Sequence, residues 1–368
     1  MRVIFVNRYF HPDHSATSQM ATDLAFHLAS RGFDVAAITS SQRYDDPRAR
    51  LESGTASGVR IVRVWSTRFG RGALAGRAID YLTFYLSAFF AMRRERNAVL
   101  VAMTDPPLIS VLARLAAPRV VNWVQDLFPE VAESLGIRAP RILRRLRDWS
   151  FRRARRNVVL GDLMAARVPN AVVIHNWADA ALRPVERAGG EAFLLGYSGN
   201  LGRAHEFDTI LGAMRALPDV RFVFTGGGAQ LEAVKNAAGA NAEFRAYVPR
   251  ERLSESLSSV DAHLVSLQPS LEGLIVPSKF YGILAVARPV IFIGARDGEL
   301  ARIIDAHRCG VVVVPGDVEG LTRAVETLAH NREAAAEMGR RGRELYLARF
   351  APQQAFAAWE AVLTEASR

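Results

Sequence analysis

Short runs of β-branched and aliphatic residues alternate with helix-like stretches along almost the whole chain. Arg2–Asn7 and Asp34–Thr39 have the composition of buried strands, and Ala16–Arg31 between them has the spacing of a helix that Gly32 ends. A strand, a helix and a further strand normally form a right-handed crossover between parallel strands. Repetition of this order predicts an α/β fold in which helices cover both faces of a parallel sheet.

The alternation pauses once, in a polar segment that contains a proline and a pair of glycines. We predict that this segment, Ala178–Ala192, is a linker, because the strand and helix pattern begins again after it. A chain of 368 residues also exceeds one ordinary core. We therefore expect two doubly wound, Rossmann-like domains at residues 1–180 and 181–350, and a C-terminal helix at 351–368 that packs back on the first domain. The two domains would face a central cleft.

Composition narrows the class of protein further. The single cysteine, Cys309, excludes a disulfide framework and a thiolate zinc site, and fits a reducing cytoplasm. The chain opens on a strand-like run from Val3 to Val6, which is not the pattern of a signal peptide. Residues 1–180 contain 26 arginines against 15 acidic residues. This basic half would attract nucleic acid, anionic lipid or phosphorylated substrates.

The stretch Ser266–Ile293 combines a loop carboxylate with an anion-binding pattern. Glu272 stands in a loop that also contains a glycine and a proline, and Ser278 and Lys279 begin the helix that follows. The free N–H groups of a helix start and a lysine in its first turn favour a negative ligand. A carboxylate in an apolar stretch must be solvated or paired. We predict that a nucleotide-sugar diphosphate binds here and that its sugar contacts Glu272.

Two glycine-containing loops of the second domain would line the same ligand. In Tyr197–His205 the glycines allow close approach of the backbone, and Arg203 can bind a phosphate with two hydrogen bonds. The alternative is a glycine turn with a surface arginine. Thr225–Gly228 is a second glycine turn after a strand. It would form one side of a nucleotide site, or it would be only a tight turn. Neither loop has the G-x-G-x-x-G fingerprint of dinucleotide-binding proteins.

Two loops of the first domain are candidates for a second substrate. In Arg8–Gln19, Ser15, Thr17 and Ser18 can cap the following helix and offer N–H groups to an anion or to sugar hydroxyls. An ordinary polar loop is the alternative. Gln125–Glu130 follows a strand directly, so Asp126 would orient sugar hydroxyls or stabilise positive charge at an anomeric carbon. An N-cap for the following helix is the alternative role for Asp126.

The sequence lacks the motifs of several enzyme classes. The chain has no G-x-x-x-x-G-K-[ST] sequence, which excludes a P-loop nucleotide hydrolase, and no H-E-x-x-H sequence or cysteine pair for catalytic zinc. The segment Gly196–Asn200 misses the G-x-S-x-G nucleophile elbow by one position.

Together, these loops resemble the retaining family 4 glycosyltransferases, whose GT-B fold has two facing Rossmann-like domains. The likeness extends over nearly the whole chain, and its motifs are specific only as a set. The chain is similar above all to the branch that builds bacterial O-antigen, capsule and colanic-acid-type polysaccharides, including enzymes assigned to N-acetyl-fucosamine transfer. The segments that carry the resemblance are Tyr9–Pro12, Gln125–Pro129, Ile174–Asn176, Ser198–Arg203, Phe224–Gly228, Glu272 with Pro277–Gly282, and Arg288–Val290.

The resemblance implies roles for particular residues. Glu272 would contact the donor sugar, Lys279 and Arg203 would hold the diphosphate, and Asp126 would face the anomeric carbon. The other donor-side residues that it implies are Gly199, Asn200, Gly202, His205, Gly226, Gly227, Val248, Gly273, Leu274 and Ser278. The acceptor-side residues that it implies are Tyr9, His11, Ser15 and Thr17.

The implied reaction is transfer of a sugar, with retention of configuration, from a UDP-linked donor to a growing cell-surface polysaccharide on polyprenyl diphosphate. Such an enzyme has no evident protein nucleophile, and it works by stabilising the departing diphosphate and by domain closure. It would need neither a metal nor another cofactor if basic residues and a helix N-terminus neutralise the leaving group.

The chain departs from the family pattern in three places. The family's second glutamate, which normally binds ribose hydroxyls, falls on Phe280 or Gly282. The usual arginine and lysine of the first loop of the second domain fall on Asn200 and His205, and Arg203 would replace them. The usual histidine before Asp126 is a glutamine.

Two segments of the basic half bear on membrane binding. The apolar residues of Ala73–Arg96 are too few to span a bilayer, and Asp80 interrupts them. We interpret this segment as a buried helix that covers the sheet, and partial insertion at a membrane interface is the alternative. Arg138–Arg156 holds nine arginines and one acidic residue over an apolar stripe. If the acceptor is lipid-linked, this face would contact anionic lipid, so we hypothesise a cytoplasmic protein attached peripherally to the inner face of the cell membrane.

Other functions compete with glycosyl transfer. A nucleotide-sugar 2-epimerase of the same fold would release free sugar without an acceptor. A non-catalytic protein that binds lipid or nucleic acid through its basic half is a second alternative. Nucleic-acid binding would explain the charge but not the glycine loops, and no stacking platform is evident in the sequence.

Overall fold

A computed structural model describes residues 1–44, 46, 48–69, 74–187, 190 and 192–368. The chain divides into two compact units. The first contains Met1–His175 together with Phe356–Arg368, and the second contains Asn176–Ala355. The segment predicted as a linker, Ala178–Ala192, therefore falls within the second unit, and residues 188, 189 and 191 of it lie outside the described residues.

The first unit is built on an eight-stranded sheet with the order β3-β4-β2-β1-β5-β6-β7-β8. All neighbouring strands are parallel except β3 and β4, which are antiparallel. The apolar runs form the central strands because helices cover both faces of the sheet and leave no side chain in water. The strands are β1 (Arg2–Val6), β2 (Asp34–Ser40), β3 (Gly54–Ala56), β4 (Val59–Val64), β5 (Val99–Ala102), β6 (Val120–Trp123), β7 (Arg156–Val159) and β8 (Ala171–Val173).

Helices connect these strands in the expected order. One buried cluster joins the sheet to α2 and α3 through Phe84, Met92 and Ile109, among others. The helix predicted at Ala73–Arg96 is α2, and residue 73 lies outside the described residues. The helices are α1 (Ala16–Ser30), α2 (Leu74–Arg94), α3 (Ile109–Ala116), α4 (Glu130–Ser134), α5 (Arg141–Arg153) and α6 (Asp162–Ala165).

The second unit contains a six-stranded parallel sheet with the order β11-β10-β9-β12-β13-β14. Its strands are β9 (Leu194–Ser198), β10 (Arg221–Thr225), β11 (Ala242–Arg245), β12 (Ala262–Ser266), β13 (Val290–Ile293) and β14 (Gly310–Val313). Its helices are α7 (Asp208–Ala216), α8 (Leu231–Ala237), α9 (Leu253–Ser258), α10 (Lys279–Ala285), α11 (Glu299–His307), α12 (Val318–His330) and α13 (Arg332–Leu345). Short 3₁₀ turns at Arg250–Arg252 and Pro269–Leu271 precede α9 and Glu272.

The strand order places the functional loops of each unit. In the second sheet the chain proceeds outward in one direction from β9 and in the other direction from β12, and these two strands are neighbours. The loops after such a pair diverge and leave a crevice at the carboxyl ends of the strands. The loop after β9 begins at Gly199 and the loop after β12 leads to Glu272. In the first sheet β1 and β5 form the equivalent pair.

A last helix, α14 (Pro352–Ser367), completes the fold. From Phe356 onward it belongs to the first unit. The ring of Trp359 is fully buried and its centre lies 4.7 Å from that of Trp123. Glu360 accepts a hydrogen bond from His27 of α1 at 2.7 Å if the histidine nitrogen carries the proton. The C-terminal residues are thus part of the core of the first unit.

Candidate functional site

The loops after β9 and β10 pack backbone against backbone at the carboxyl edge of the second sheet. The N–H of Gly199 donates to the carbonyl of Thr225 (2.8 Å), and the N–H of Leu201 donates to that of Gly227 (2.7 Å). A Cβ atom on Gly226 would lie 2.2 Å from the carbonyl oxygen of Gly199, and the φ angle of Gly226 is +135°. Position 226 therefore requires glycine. The two predicted glycine turns form one continuous surface.

Several N–H groups on this surface have no protein acceptor. Within the part of the chain that the structure describes, the N–H groups of Asn200, Gly202 and Arg203 donate to no protein oxygen. The Arg203 side chain is exposed, while its backbone carbonyl accepts a hydrogen bond from Gln268 (2.9 Å). Unpaired N–H groups beside a guanidinium are groups that commonly hold phosphate in proteins.

The ammonium group of Lys279 lies against the same loop. Its Nζ donates to Tyr197 Oη (2.5 Å) and to the carbonyl of Asn200 (3.5 Å). The ammonium also sits 3.8 Å from the centre of the Tyr197 ring. A Cβ atom on Gly199 would lie 3.6 Å from Lys279 Cε. The fold thus brings Lys279, Gly199 and Asn200 together, although 79 residues separate Lys279 from Asn200.

The charge on Lys279 is poorly compensated. No carboxylate forms an ion pair with it among the described residues, and burial holds the pKa of its ammonium well below the usual 10.5. Removal from water penalises the charged form of a lysine, and an anion that binds beside it removes that penalty. Lys279 therefore favours an anionic ligand at the carboxyl edge of the sheet.

His205 occupies the position of a family lysine but is uncharged at neutral pH. Its Nδ1 lies 2.5 Å from the carbonyl of Ser266 at the end of β12. Burial, followed by the charge of Lys279, lowers the pKa of His205 to about 3. A neutral ring then donates Nδ1–H to that carbonyl and joins the loops after β9 and β12. In this structure His205 positions the loop and carries no charge at neutral pH.

Glu272 lies at the start of α11. Its Oε2 accepts the N–H of Glu299 (3.2 Å), which caps the helix. A Cβ atom on Gly298 would lie 2.4 Å from Glu272 Oε1, so the missing side chain at position 298 admits the carboxylate. Oε1 is buried and has no hydrogen-bond partner among the described residues. One oxygen of Glu272 therefore has a structural role, and the hydrogen-bonding capacity of the other is unused within the described residues.

The environment of Glu272 disfavours its negative charge. The pKa of Glu272 is raised to about 7, chiefly by burial. The N–H of Glu299 opposes this change, while the charges of Glu299 and Asp297 add to it and that of Arg302 opposes it. Glu299 is itself buried and was missed by the sequence analysis. Since 27 residues separate it from Glu272, no local pattern could have linked the two.

The backbone around Gly273 offers fewer free donors than we expected. The N–H of Leu274 donates to the carbonyl of Leu271 (3.0 Å), because the chain makes a turn there. The N–H of Gly273, whose φ is +70°, has no acceptor within the described ranges. Ser278 is exposed, and its hydroxyl does not cap α10, which has only seven residues. Leu274 is therefore not a free amide donor, and we base no anion site on the start of this short helix.

The two positions that lack the family's second glutamate face apolar side chains. A Cβ atom on Gly282 would lie 3.5 Å from Leu257 and 3.8 Å from Leu182. Phe280 is fully buried. A carboxylate at either position would enter an apolar environment at considerable cost. The departures from the family pattern are therefore consistent with the local packing.

Tyr247 is a surface residue that the sequence analysis missed. Its side chain is 63% exposed, and Cβ atoms on Gly226 and Gly227 would lie 3.2 and 3.3 Å from the ring. The ring therefore covers the glycine turn after β10 and leaves its other face to solvent. Val248, which we predicted on the donor side, follows it and is partly buried. The only signal in the sequence was an aromatic residue between a strand and a proline.

In the first unit, Asp126 follows β6 and remains in contact with solvent. Although the residue is exposed, the protein around its carboxylate displaces part of the water there, and this, followed by the charge of Asp105 after β5, raises the pKa of Asp126 to about 6. A cavity of about 20 Å³ beside it is lined by Thr104 and Asn122, among other residues. Neither Thr104 Oγ1 nor Asn122 Oδ1 has a hydrogen-bond partner in the described part of the chain. Asp105, which the sequence analysis missed, thus lies near Asp126 at the carboxyl edge of this sheet.

The loop after β1 is packed more tightly than we expected. Tyr9 is buried, and its ring contacts that of Tyr44 edge to face, with centres 5.6 Å apart. The partly buried ring of His11 packs against Phe26, and its pKa is lowered by burial and by Arg63. In this structure these two predicted acceptor-side rings serve packing.

The predicted capping of α1 by the hydroxyl of Ser15 is wrong. Ser15 occupies the N-cap position but its hydroxyl makes no capping bond. The carboxylate of Asp13 instead accepts the N–H of Ser15 (2.8 Å), and the Ser15 hydroxyl is buried with no partner among the described residues. Thr17 lies in the first turn of α1 and is partly buried.

The described residues lack two further features. They contain no group of three or more histidine, cysteine or acidic side chains arranged to hold a metal ion. They also contain no helix with both the length and the apolarity needed to cross a bilayer.

Two family models match the chain in succession. Residues 15–177 match the glycosyl transferase 4-like domain, and residues 179–345 match glycosyl transferases group 1. The curated relatives include the probable glycosyltransferase WbjE of Pseudomonas aeruginosa, 29% identical over 69% of this chain and 71% of its own length. They also include the putative colanic acid biosynthesis glycosyl transferase WcaI of Escherichia coli K12, 21% identical over 88% of this chain and 91% of its own.

Solved structures share the whole fold at low sequence identity. Sucrose-phosphate synthase of Thermosynechococcus elongatus is 15% identical, with a TM-score of 0.81 over 99% of this chain and 98% of its own. HepE of Anabaena, solved in complex with UDP and glucose, is 13% identical, with a TM-score of 0.71 over 99% of both chains.

Proposed function

We propose, from the premise that the chain is a glycosyltransferase of the GT-B type, that it transfers a sugar from a UDP-linked donor. The acceptor is a growing polysaccharide carried on polyprenyl diphosphate, and the configuration at the anomeric carbon is retained. The observation that carries the proposal is Lys279. This cation has no carboxylate partner among the described residues, and it lies at the carboxyl edge of the second sheet beside a loop with free N–H groups.

The diphosphate is assigned to Lys279 and the loop after β9. Lys279 contributes a desolvated ammonium, Arg203 an exposed guanidinium, and the loop three N–H groups that have no protein acceptor within the described ranges. A departing UDP gains negative charge as the glycosidic bond breaks. Fixed positive groups that need no reorganisation stabilise this charge in the transition state. Asn200 takes part through its backbone, because Lys279 and Tyr197 both donate to its carbonyl.

The donor sugar is assigned to Glu272. Its Oε1 is buried without a partner in the described part of the chain, and a sugar hydroxyl would satisfy it. The pKa of about 7 means that both protonation states are accessible near neutral pH, so Oε1 can accept or donate this hydrogen bond. The N–H of Glu299 holds the other oxygen and orients the group.

The nucleobase is assigned to Tyr247. This ring lies over the glycine turn after β10, on the same sheet edge as Lys279, and its other face is exposed to solvent. Bases stack on such rings with about 1–3 kcal/mol of binding free energy. Because Phe280 and Gly282 supply no carboxylate for the ribose, stacking is a larger share of nucleoside recognition in this proposal.

The acceptor is assigned to the first unit, through the loop after β6. Asp126 has a pKa near 6, so a large fraction of it is ionised at neutral pH, when it can accept a hydrogen bond from an acceptor hydroxyl. The relation to WcaI, whose name refers to colanic acid biosynthesis, supports a polysaccharide product. A lipid-linked acceptor requires a membrane surface, so attachment to the inner face of the cell membrane belongs to the proposal.

Nucleotide binding tests the donor site first. UDP should raise the unfolding temperature of the wild type more than ADP or GDP, and calorimetry should show that Lys279→Met weakens UDP binding at least about tenfold, as expected for the loss of a charged hydrogen bond. Lys235→Met is the matched control, since Lys235 is the only other lysine and pairs with Glu232 on α8. No stabilisation by any nucleotide, or equal binding by Lys279→Met and wild type, would contradict the assignment.

Transfer assays separate the remaining alternatives. Wild-type protein supplied with UDP-sugars and a polyprenyl-diphosphate-linked saccharide should release UDP only when the acceptor is present. Release of free sugar without an acceptor would instead indicate the epimerase. Tyr247→Ala should weaken UDP binding about tenfold or more while binding of inorganic pyrophosphate stays unchanged, and Tyr247→Phe should behave as wild type. Equal loss of UDP and pyrophosphate binding would assign the ring a structural role.

A further inference from the structure

Helix α2 of the first unit has two apolar faces. One face, with Phe84, Ala88 and Met92, packs on the sheet in a fully buried cluster. The opposite face carries Ile79 (44% exposed), Leu82 (58%), Leu86 (57%) and Phe90 (63%). Their spacing of three and four residues aligns them along one side of the helix. We refer to these four residues as the α2 stripe.

The predicted buried helix does cover the sheet, but only one of its apolar faces is buried, because the α2 stripe is exposed. A helix that only covers a sheet needs one apolar face and is normally polar on the other. Contiguous apolar side chains at this level of exposure are rare on monomeric proteins and mark interaction sites. Phe69, whose side chain is 64% exposed, extends the apolar surface, because its Cβ would lie 2.6 Å from a Cβ atom on Gly76 of α2.

Neighbouring helices extend the surface. Helix α3 packs against both α2 and α5, so the three helices form one layer on the sheet. Arg93 of α2 reaches the carbonyl of Ala116 at the end of α3 (3.4 Å), and Ser110 of α3 is hydrogen-bonded to Ser150 of α5 (2.9 Å). Three further exposed apolar side chains lie on the same layer, namely Leu115 (54%), Ile142 (53%) and Leu146 (38%).

The charged side chains of this layer that have no ion-pair partner among the described residues are all positive. The acidic residues of α2, α3 and α5 are Asp80 and Asp148, and each is bound to an arginine. Asp80 is fully buried with Arg8 and therefore contributes no negative surface. The arginines Arg94, Arg141, Arg145, Arg152 and Arg153 are exposed and form no ion pair among the described residues.

We propose that the α2 stripe and the exposed arginines beside it form a docking face for an anionic lipid bilayer, with α2 lying in the plane of the interface. Apolar side chains from one helix and flanking cations are the combination that inserts shallowly and attracts acidic headgroups. The inference rests on the proposed function only for the choice of a membrane-bound acceptor. It names α2 as the main contact, which was the alternative interpretation of this segment, and keeps the basic face of α5 as a flanking contact.

Vesicle flotation tests the docking face. Wild-type protein should float with vesicles of phosphatidylglycerol and phosphatidylcholine, float less with pure phosphatidylcholine, and lose binding as salt is raised. The double variant Leu82→Gln with Phe90→Gln should bind anionic vesicles at least about tenfold more weakly, since it withdraws two side chains from the interface. Leu347→Gln is the matched control, because Leu347 is an equally exposed leucine (52%) on the second unit.

Three results of these experiments would overturn the proposed docking face. The proposal is overturned if wild-type protein does not bind anionic vesicles, or if the double variant binds as well as wild type. It is also overturned if wild-type protein dimerises and the double variant is monomeric, because the α2 stripe would then be an interface between two copies. UDP binding should stay unchanged in both variants, so failure of membrane docking is distinguished from failure of the donor site.

Discussion

Replacing Glu272 with glutamine should make the protein more stable at neutral pH and change little at pH 4.5. The pKa of Glu272 rises from 4.5 in the unfolded chain to about 7 in the fold. The raised pKa means that the folded state favours the protonated carboxyl. The contribution of the Glu272 carboxyl to stability is therefore fully present below pH 4.5 and is lost as the pH rises towards 7. Glutamine keeps the shape and an acceptor for the N–H of Glu299 but never ionises.

The expected size follows from the two pKa values. At about 1.4 kcal/mol for each factor of ten in the proton affinity, the rise from 4.5 to about 7 corresponds to about 3 kcal/mol. Partial contact of Glu272 with solvent makes this an upper bound. The difference in unfolding free energy between Glu272→Gln and wild type should therefore grow from near zero at pH 4.5 to as much as ~3 kcal/mol at pH 8.

Urea unfolding at pH 4.5, 5.5, 6.5, 7.5 and 8 measures this difference. Glu326→Gln serves as the control, because Glu326 is an exposed glutamate on α12 of the same unit. The control should differ from wild type by the same small amount at every pH. A Glu272→Gln difference that does not change with pH would refute the argument that burial disfavours this charge. Loss of sugar transfer in the same variant, with the fold intact, would fit the proposed contact between Oε1 and the donor sugar.

Three further predictions follow from the geometry. Lys279→Met should raise the unfolding free energy of the unliganded protein at pH 7, because burial disfavours the charged form of the lysine in the folded state. The gain should shrink as the pH approaches 10.5, where the lysine of the unfolded chain also loses its proton, and denaturant titration at both pH values checks this. Gly226→Ala should abolish UDP binding in calorimetry or prevent folding, since its Cβ would lie 2.2 Å from a carbonyl oxygen, whereas Gly227→Ala, whose nearest contact is 3.3 Å, should fold normally. Trp359→Ala should lower the unfolding free energy by about 3–5 kcal/mol in urea titration, because the ring is fully buried against Trp123, and a loss below about 1 kcal/mol would show that the C-terminal residues do not belong to the core of the first unit.

Much of the fold could be predicted because its signals are local. A run such as Val3–Val6 is apolar at every position and rich in β-branched residues, which is typical of a strand covered on both faces. Helix spacing and Gly32 likewise report on the next few residues. These patterns predicted both parallel sheets and helices such as α1, α2 and α14, but not the short edge strand β3.

Parts of the candidate site were predictable for a related reason. In a parallel sheet, residues directly after each strand share one edge, so Gly199, Gly226 and Glu272 could be assigned to one region from their positions alone. Lys279 was recognisable as one of two lysines in an arginine-rich chain. The roles of these residues are proposals that the binding and transfer assays will test.

What the sequence determined by itself was the type of element at each place and the loops that end the strands, because hydrophobic periodicity and glycine geometry act over a few residues. Tertiary structure decided the partners. The orphaned oxygen of Glu272 depends on Glu299 and Gly298, the packing of Gly282 against Leu257 depends on how α9 and α10 meet, and the exposure of Leu82 depends on which face of α2 the sheet covers. Contacts between distant segments follow from strand order and helix packing, which are properties of the whole core rather than of any one stretch of chain.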